Sequence, residues 1–158
     1  LYYNMSEIIK LLKKAQKLAT NVGINNILQP GVIKELIIAE ILGHTLIPQK
    51  NLPDAKDNQN HYYEYLSSIN RKNVKINKGS SFQIDRVTRS NLKRITRNHE
   101  FYFAFFEDHF TVEEIYKLET AEVLKEVRRQ LSSGKNKIGH INFLTKWVKM
   151  TGKKIYPK

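Results

Sequence analysis

The sequence predicts a mixed α+β protein in the α/β class, with a central mixed β-sheet that carries a two-stranded hairpin and is flanked by helices. Three observations lead there. Two stretches with apolar residues at helical spacing lie before residue 44. A turn signal, Asp57, Asn58, Gln59 and Asn60, then separates two short arms of a hairpin. Finally, Phe101 to Phe106 is continuously apolar and bounded by acids, the pattern of a strand covered on both faces. Hairpins mixed with flanking helices indicate a layered sheet-and-helix arrangement.

Taken in order, Ser6 as N-cap followed by Ile8, Ile9, Leu11, Leu12, Ala15 and Leu18 predicts an amphipathic helix ending near Gly23. Pro30 opens a second helix through Val32, Ile33, Leu36, Ile37 and Ile41, stopped by Gly43. Its apolar stripe is broad enough to lie against a sheet. Thr45 to Ile47 reads as a short strand ended by Pro48, and the hairpin follows. Ile69 to Ser81 is polar and basic with a single glycine, the composition of a substrate-facing loop. Phe82 to Val87 alternates weakly, and Arg89 to Asn98 fits helix or strand equally. After the phenylalanine-rich run, Thr111 to Leu118 reads as the next strand. Thr120 is placed to cap a helix carrying Val123, Leu124, Val127 and Leu131. Asn142 or a neighbour starts a last short helix through Trp147, and Lys154 to Tyr156 closes the chain as a strand. The length suits one domain, residues 1–158, with residues 1–30 as a helical segment packed on it.

Charge narrows the partner. Lys and Arg number 27 against 15 Asp and Glu, a formal net charge of +12. That excess favours a polyanion, and nucleic acid before membrane, because no basic amphipathic anchor accompanies it. There is no cysteine, which excludes disulfides and thiolate metal sites, so any metal must sit on oxygen or imidazole. No run of about 18 apolar residues exists, and no apolar signal core with a cleavage site is seen at the start, so a cytoplasmic protein is expected.

The hairpin carries the chemistry. Glu64 sits among Tyr62, Tyr63, Tyr65 and Leu66, where a carboxylate without a partner is costly. In a strand, Glu64 and Leu66 point one way while Tyr63, Tyr65 and Ser67 point the other. Asp54 lies across the turn on the antiparallel arm, within reach of the same cation. Two carboxylates plus waters suit Mg²⁺, an ion able to assist phosphodiester hydrolysis. The bland alternative makes Asp54 a turn acid and Glu64 a cross-strand partner for Lys56.

With Pro53, Asp54, a turn, then Glu64 and Tyr65, the chain resembles the PD-(D/E)XK nuclease superfamily, specifically small type II restriction endonucleases. Lys34, Glu35 and Leu36 through Gly43 and His44 look like the helix that precedes the catalytic hairpin in that family, and Tyr63–Ser68, Phe82–Val87, Phe101–Phe106 and Asn136–Phe143 look like other segments of those enzymes. The likeness runs from Val32 to the C-terminus. It implies a restriction-endonuclease-like fold and Mg²⁺-dependent, sequence-specific cleavage of double-stranded DNA by a homodimer in a bacterial or archaeal cell. It also implies Asp54 and Glu64 as catalytic metal ligands and Glu35 as an accessory acid. One position departs from the family: Leu66 stands where a lysine usually orients or deprotonates the attacking water. Lys56, on the same strand face as Asp54, is the first substitute, and Lys72, Lys75 and Lys78 are weaker ones.

For DNA contact, Arg86, Arg89, Lys93, Arg94 and Arg97 form the densest basic segment and are assigned to phosphates. Gln83 and Asn91 have side-chain amides able to read base edges. Asn136 and His140 are further candidates from the late segment. His44, His61, His99 and His109 lack ligand spacing and read as structural or surface groups. The rival to an enzyme is a nucleic-acid-binding module that kept the fold and lost the reaction at Leu66; a metal-free RNA-binding protein is the third reading.

Overall fold

The computed structural model describes residues 5–49, 51–69, 81–133 and 138–158. The chain begins with two helices, α1 (Met5–Asn21) and α2 (Val32–Leu42). Gly31, at φ 94°, turns the chain into α2, and Gly43, at φ 68°, ends it in the left-handed conformation with the His44 N–H on Ala39 O at 2.9 Å. Eight strands follow in chain order among the described residues: β1 (Thr45–Leu46), β2 (Ala55–Lys56), β3 (Tyr62–Ile69), β4 (Ser81–Thr88), β5 (Glu100–Phe106), β6 (Val112–Glu119), β7 (Ile138–Leu144) and β8 (Lys153–Tyr156). The short helix α3 (Lys93–Thr96) precedes β5, while α4 (Thr120–Ser133) and α5 (Thr145–Thr151) flank β7.

Six strands form one mixed sheet in the order β1-β2-β3-β5-β6-β8, in which β3 and β5 run parallel and the other neighbours antiparallel. The remaining two, β4 and β7, form an antiparallel ribbon with a bulge between Ile84 and Val87. All seven residues of β5 are buried, and they feed two cores. Phe101, Phe103 and Phe105 join Leu66, Phe82, Ile95, Val127 and Phe143 on the side covered by the ribbon, α3, α4 and α5. Tyr102, Ala104 and Phe106 join Tyr63, Tyr65, Ile38 and Ala39 on the α2 side. The continuous apolar run was therefore a doubly covered strand, as its composition predicts.

Three local expectations are corrected. Residues 138–144 are a strand, not a loop leading to a helix at Asn142: Ile141 and Phe143 are buried opposite Ile84 and Phe82, and the helix starts only at Thr145. Thr120 does not cap α4, because its hydroxyl donates to the carbonyls of Asn98 (2.8 Å) and His99 (3.0 Å). Ser6 lies inside α1 rather than ahead of it. The apolar stripe of α1 is open: Ile8, Leu11 and Leu18 are 53%, 57% and 60% exposed, and Ala19 is its buried residue. The C-terminal half of α1 is tied down by Gln16, which donates to Ile24 O and Asn25 O and accepts from Ile27 N–H at 2.9 Å.

Candidate active site

The hairpin is built on Asp57. Its carboxylate accepts the N–H groups of Gln59 (2.8 Å) and His61 (2.9 Å) and the Tyr63 hydroxyl (2.8 Å), an Asx turn that lets Asn60 adopt φ 62°. Desolvation opposes ionisation there, yet these donors win and hold Asp57 well below the usual carboxylate range. With the turn so satisfied, Asp54 is not needed for it. Its N–H bonds Tyr63 O at 3.0 Å, and its Oδ2 accepts the Tyr65 N–H at 2.7 Å.

Alternation along β3 separates two environments. Tyr63 and Tyr65 enter the α2-side core, where His44 stacks on Tyr63 at 4.3 Å and meets the Tyr65 hydroxyl at 2.7 Å. Glu64 turns to the opposite face and meets Asp54 in a cleft of about 820 Å³. Glu35, from the first turn of α2, also lines it, as do Asn25, Gln29 and Pro48 from the connecting loops. Arg86, Arg94 and Arg97 line the cleft as well.

Burial and mutual repulsion set the electrostatics of this cleft. Burial holds Glu64 above the usual carboxylate range, with the Asp54 charge adding to the effect and Arg94 and Arg97 opposing it. Burial likewise raises Asp54, against the Tyr65 N–H and the same two arginines. Burial and the Asp54 charge push Glu35 up to about 7. Glu64 Oε2 is buried with no hydrogen-bond partner among the described residues. An orphaned carboxylate oxygen beside a second carboxylate fits a hard divalent cation. No group of three or more acidic or imidazole side chains suited to a metal is found among the described residues. The arrangement fits an ion held by two carboxylates with water completing its shell, as Mg²⁺ prefers, rather than a full protein cage.

The other sequence-derived candidates divide sharply. Lys56 does not join the cleft: its ammonium donates to Asn60 Oδ1 at 3.1 Å, toward the hairpin turn. Lys72, Lys75, Lys78 and Asn136 lie outside the described residues. Arg89 donates to Leu131 O at 3.2 Å and so ties the ribbon to α4. Lys93 is exposed on α3. Asn91 is a local staple that also lines the cleft, accepting Thr88 N–H at 2.7 Å and donating to Arg86 O at 3.1 Å. Gln83 and His140 do converge, on the exposed face of the ribbon. There Asp85 Oδ1 accepts the Gln83 amide at 2.6 Å and meets His140 Nδ1 at 2.8 Å. Asp85 went unnoticed in the sequence, although its two-residue spacing from Gln83 in a weakly alternating strand was the available signal. The loop residues from Ile24 to Gln29 that wall the cleft had no local signal.

The family model for restriction endonuclease PvuII matches residues 2–156. The chain belongs to this family. These are type II restriction endonucleases, so the protein is a site-specific deoxyribonuclease whose substrate is DNA. The match extends the likeness seen at the hairpin back from Val32 through α1. No curated protein sequence matches the chain.

Proposed function

We infer that this restriction endonuclease cleaves both strands of a specific duplex sequence in a Mg²⁺-dependent reaction, with Asp54 and Glu64 holding the ion and Glu35 as the accessory acid. The observation that carries the reading is the buried, unpartnered Glu64 Oε2 facing a cleft shared with Asp54. When bound, Mg²⁺ supplies Lewis-acid stabilisation of the charge that builds on a phosphodiester as water attacks. The chain's own residues position the rest. The Tyr65 N–H fixes Asp54, and the exposed ribbon residues Gln83, Asp85 and His140 face the groove edges. Arg86 and Lys93 meet phosphates, which position the duplex without reading it.

The open α1 stripe supports a homodimer. A helix with Ile8, Leu11 and Leu18 more than half exposed buries that face against a second copy at little structural cost. A two-fold dimer also matches the symmetry of a palindromic site. Incubating the purified protein with plasmid and phage DNA tests the reading: discrete fragments are expected with Mg²⁺ and intact DNA with EDTA. Fragments of equal yield in EDTA, or a smear with no preferred sites, overturn it.

A further inference from the structure

The strand that presents Glu64 presents an apolar group two residues on. Leu66 is 5% exposed and belongs to the same core cluster as Ile95 of α3. Nothing charged can occupy that strand position without entering the core. The helix that seals it brings cations instead: Ile95 points inward, and Arg94 and Arg97, three apart on a common face, line the cleft.

The two arginines are held differently. Arg97 donates to Asn51 O at 2.6 Å, and its Nε is buried without a partner among the described residues, so this side chain anchors the loop that leads into Asp54. Arg94 Nη1 is fixed by Asp85 O at 2.9 Å, while Nη2 stands 3.8 Å from Glu64 Oε1. That second distance is an ion pair and too long for a hydrogen bond. The side chain is 41% exposed, so a duplex in the cleft can reach it. A guanidinium braced on one side and open on the other is suited to two parallel bonds with phosphoryl oxygens.

Building on the nuclease reading, we propose that Arg94, delivered from α3, is the cationic catalytic residue of this site in place of a lysine on β3, and that it binds the phosphate under attack. During hydrolysis the water oxygen bonds to phosphorus as the bond to the leaving sugar oxygen breaks; one water proton passes to solvent and the leaving oxygen takes one up. Arg94 stays protonated throughout and acts through charge alone. Because its charge also sits beside Glu64, it weakens cation binding at the carboxylates while favouring the transition state. Cation affinity and cleavage rate are thus set in opposition.

Arg94→Met separates the two effects. Calcium ion binding to the DNA-free protein, followed by calorimetry, is expected to tighten by roughly 3- to 30-fold as one opposing charge is removed. Single-turnover cleavage with Mg²⁺, on a plasmid that the wild type linearises, is expected to slow by about 10² to 10³-fold. Arg94→Lys, the safer variant should the methionine protein fail to fold, keeps calcium affinity at the wild-type value and cuts roughly tenfold more slowly for want of the fork. An active wild type with an equally active Arg94→Met, a calcium affinity that falls in that variant, or Arg94→Lys at full rate overturns the proposal alone. A wild type that leaves all DNA intact overturns the nuclease reading and this proposal together.

Discussion

Asp54 Oδ2 accepts the backbone N–H of Tyr65 at 2.7 Å, so the acid on one hairpin arm is held by the residue that follows the acid on the other. The Asp54 carboxylate is therefore oriented by the backbone of the strand that carries Glu64.

Asp54→Asn retains an oxygen for that N–H but loses the charge, and Glu64→Gln does the same for the orphaned oxygen. Each variant should fold, bind duplex in Ca²⁺ within a few-fold of wild type, and cleave at least about 10²-fold more slowly in Mg²⁺. Gel-based cleavage and fluorescence anisotropy make the comparison; a wild-type rate in either variant moves the site elsewhere.

Glu35 has a sharper signature in pH. Its folded pKa, about 7, lies above the ordinary glutamate value of 4.5, so the neutral form favours the native state. The stability this confers is fully present below about pH 4.5 and is lost as pH rises through about 7. Glu35→Gln should therefore match wild type near pH 4.5 and exceed it at pH 8 by roughly 2–3 kcal/mol, read from denaturant melts in EDTA. Equal stability at pH 8 would show that Glu35 is not desolvated.

On the ribbon, Asp85 is an acceptor-only group placed between Gln83 and His140. Asp85→Asn and His140→Ala should relax discrimination between cleaved and uncleaved sequences while leaving the salt slope unchanged. Arg86→Ala or Lys93→Ala should instead weaken all duplexes alike and reduce the slope by about 1. A reversed pattern would exchange the roles of the two sets.

The α1 stripe sets a fourth expectation. Leu11→Glu with Leu18→Glu adds charge to an open face and should convert a dimer, near twice 18.5 kDa, into a monomer in sedimentation at micromolar concentration. Far-ultraviolet circular dichroism should stay near wild type. A wild-type protein that sediments as a monomer even on DNA would remove this role from α1.

The parts of the molecule governed by short-range pattern were legible in the sequence. Phe101 to Phe106 announced a doubly buried strand, the Asp57–Asn60 turn fixed the hairpin, and the spacing of Asp54 and Glu64 pointed to their shared face. Most of what failed depended on partners distant in the chain, Lys56 with its near neighbour Asn60 being the exception. His140 and Asn142 read as loop and helix start because Ile141 and Phe143 gain their meaning only opposite Ile84 and Phe82. Lys56 was chosen by strand parity alone, and parity does not reveal that Asn60 takes its ammonium. Arg94 reached Glu64 through a four-residue helix whose placement depends on Ile95 finding the core.

The parallel pairing of β3 with β5, which aligns Glu64 with Phe101, carries a topological requirement. Two parallel neighbours cannot be joined by a tight turn, so the chain between Ile69 and Glu100 must cross from one end of the sheet to the other. In this protein that crossover contains β4 and α3. The strand bearing Gln83 and Asp85 and the helix bearing Arg94 are thus consecutive stretches of the same traverse, and Arg94 grips the Asp85 carbonyl across it. The ribbon and the guanidinium beside Glu64 are joined through the Asp85 carbonyl and again through Asn91, whose carbonyl accepts the Arg94 N–H at 3.0 Å while its amide donates to Arg86 O; a substitution that shifts the ribbon is therefore expected to change cleavage rate together with discrimination.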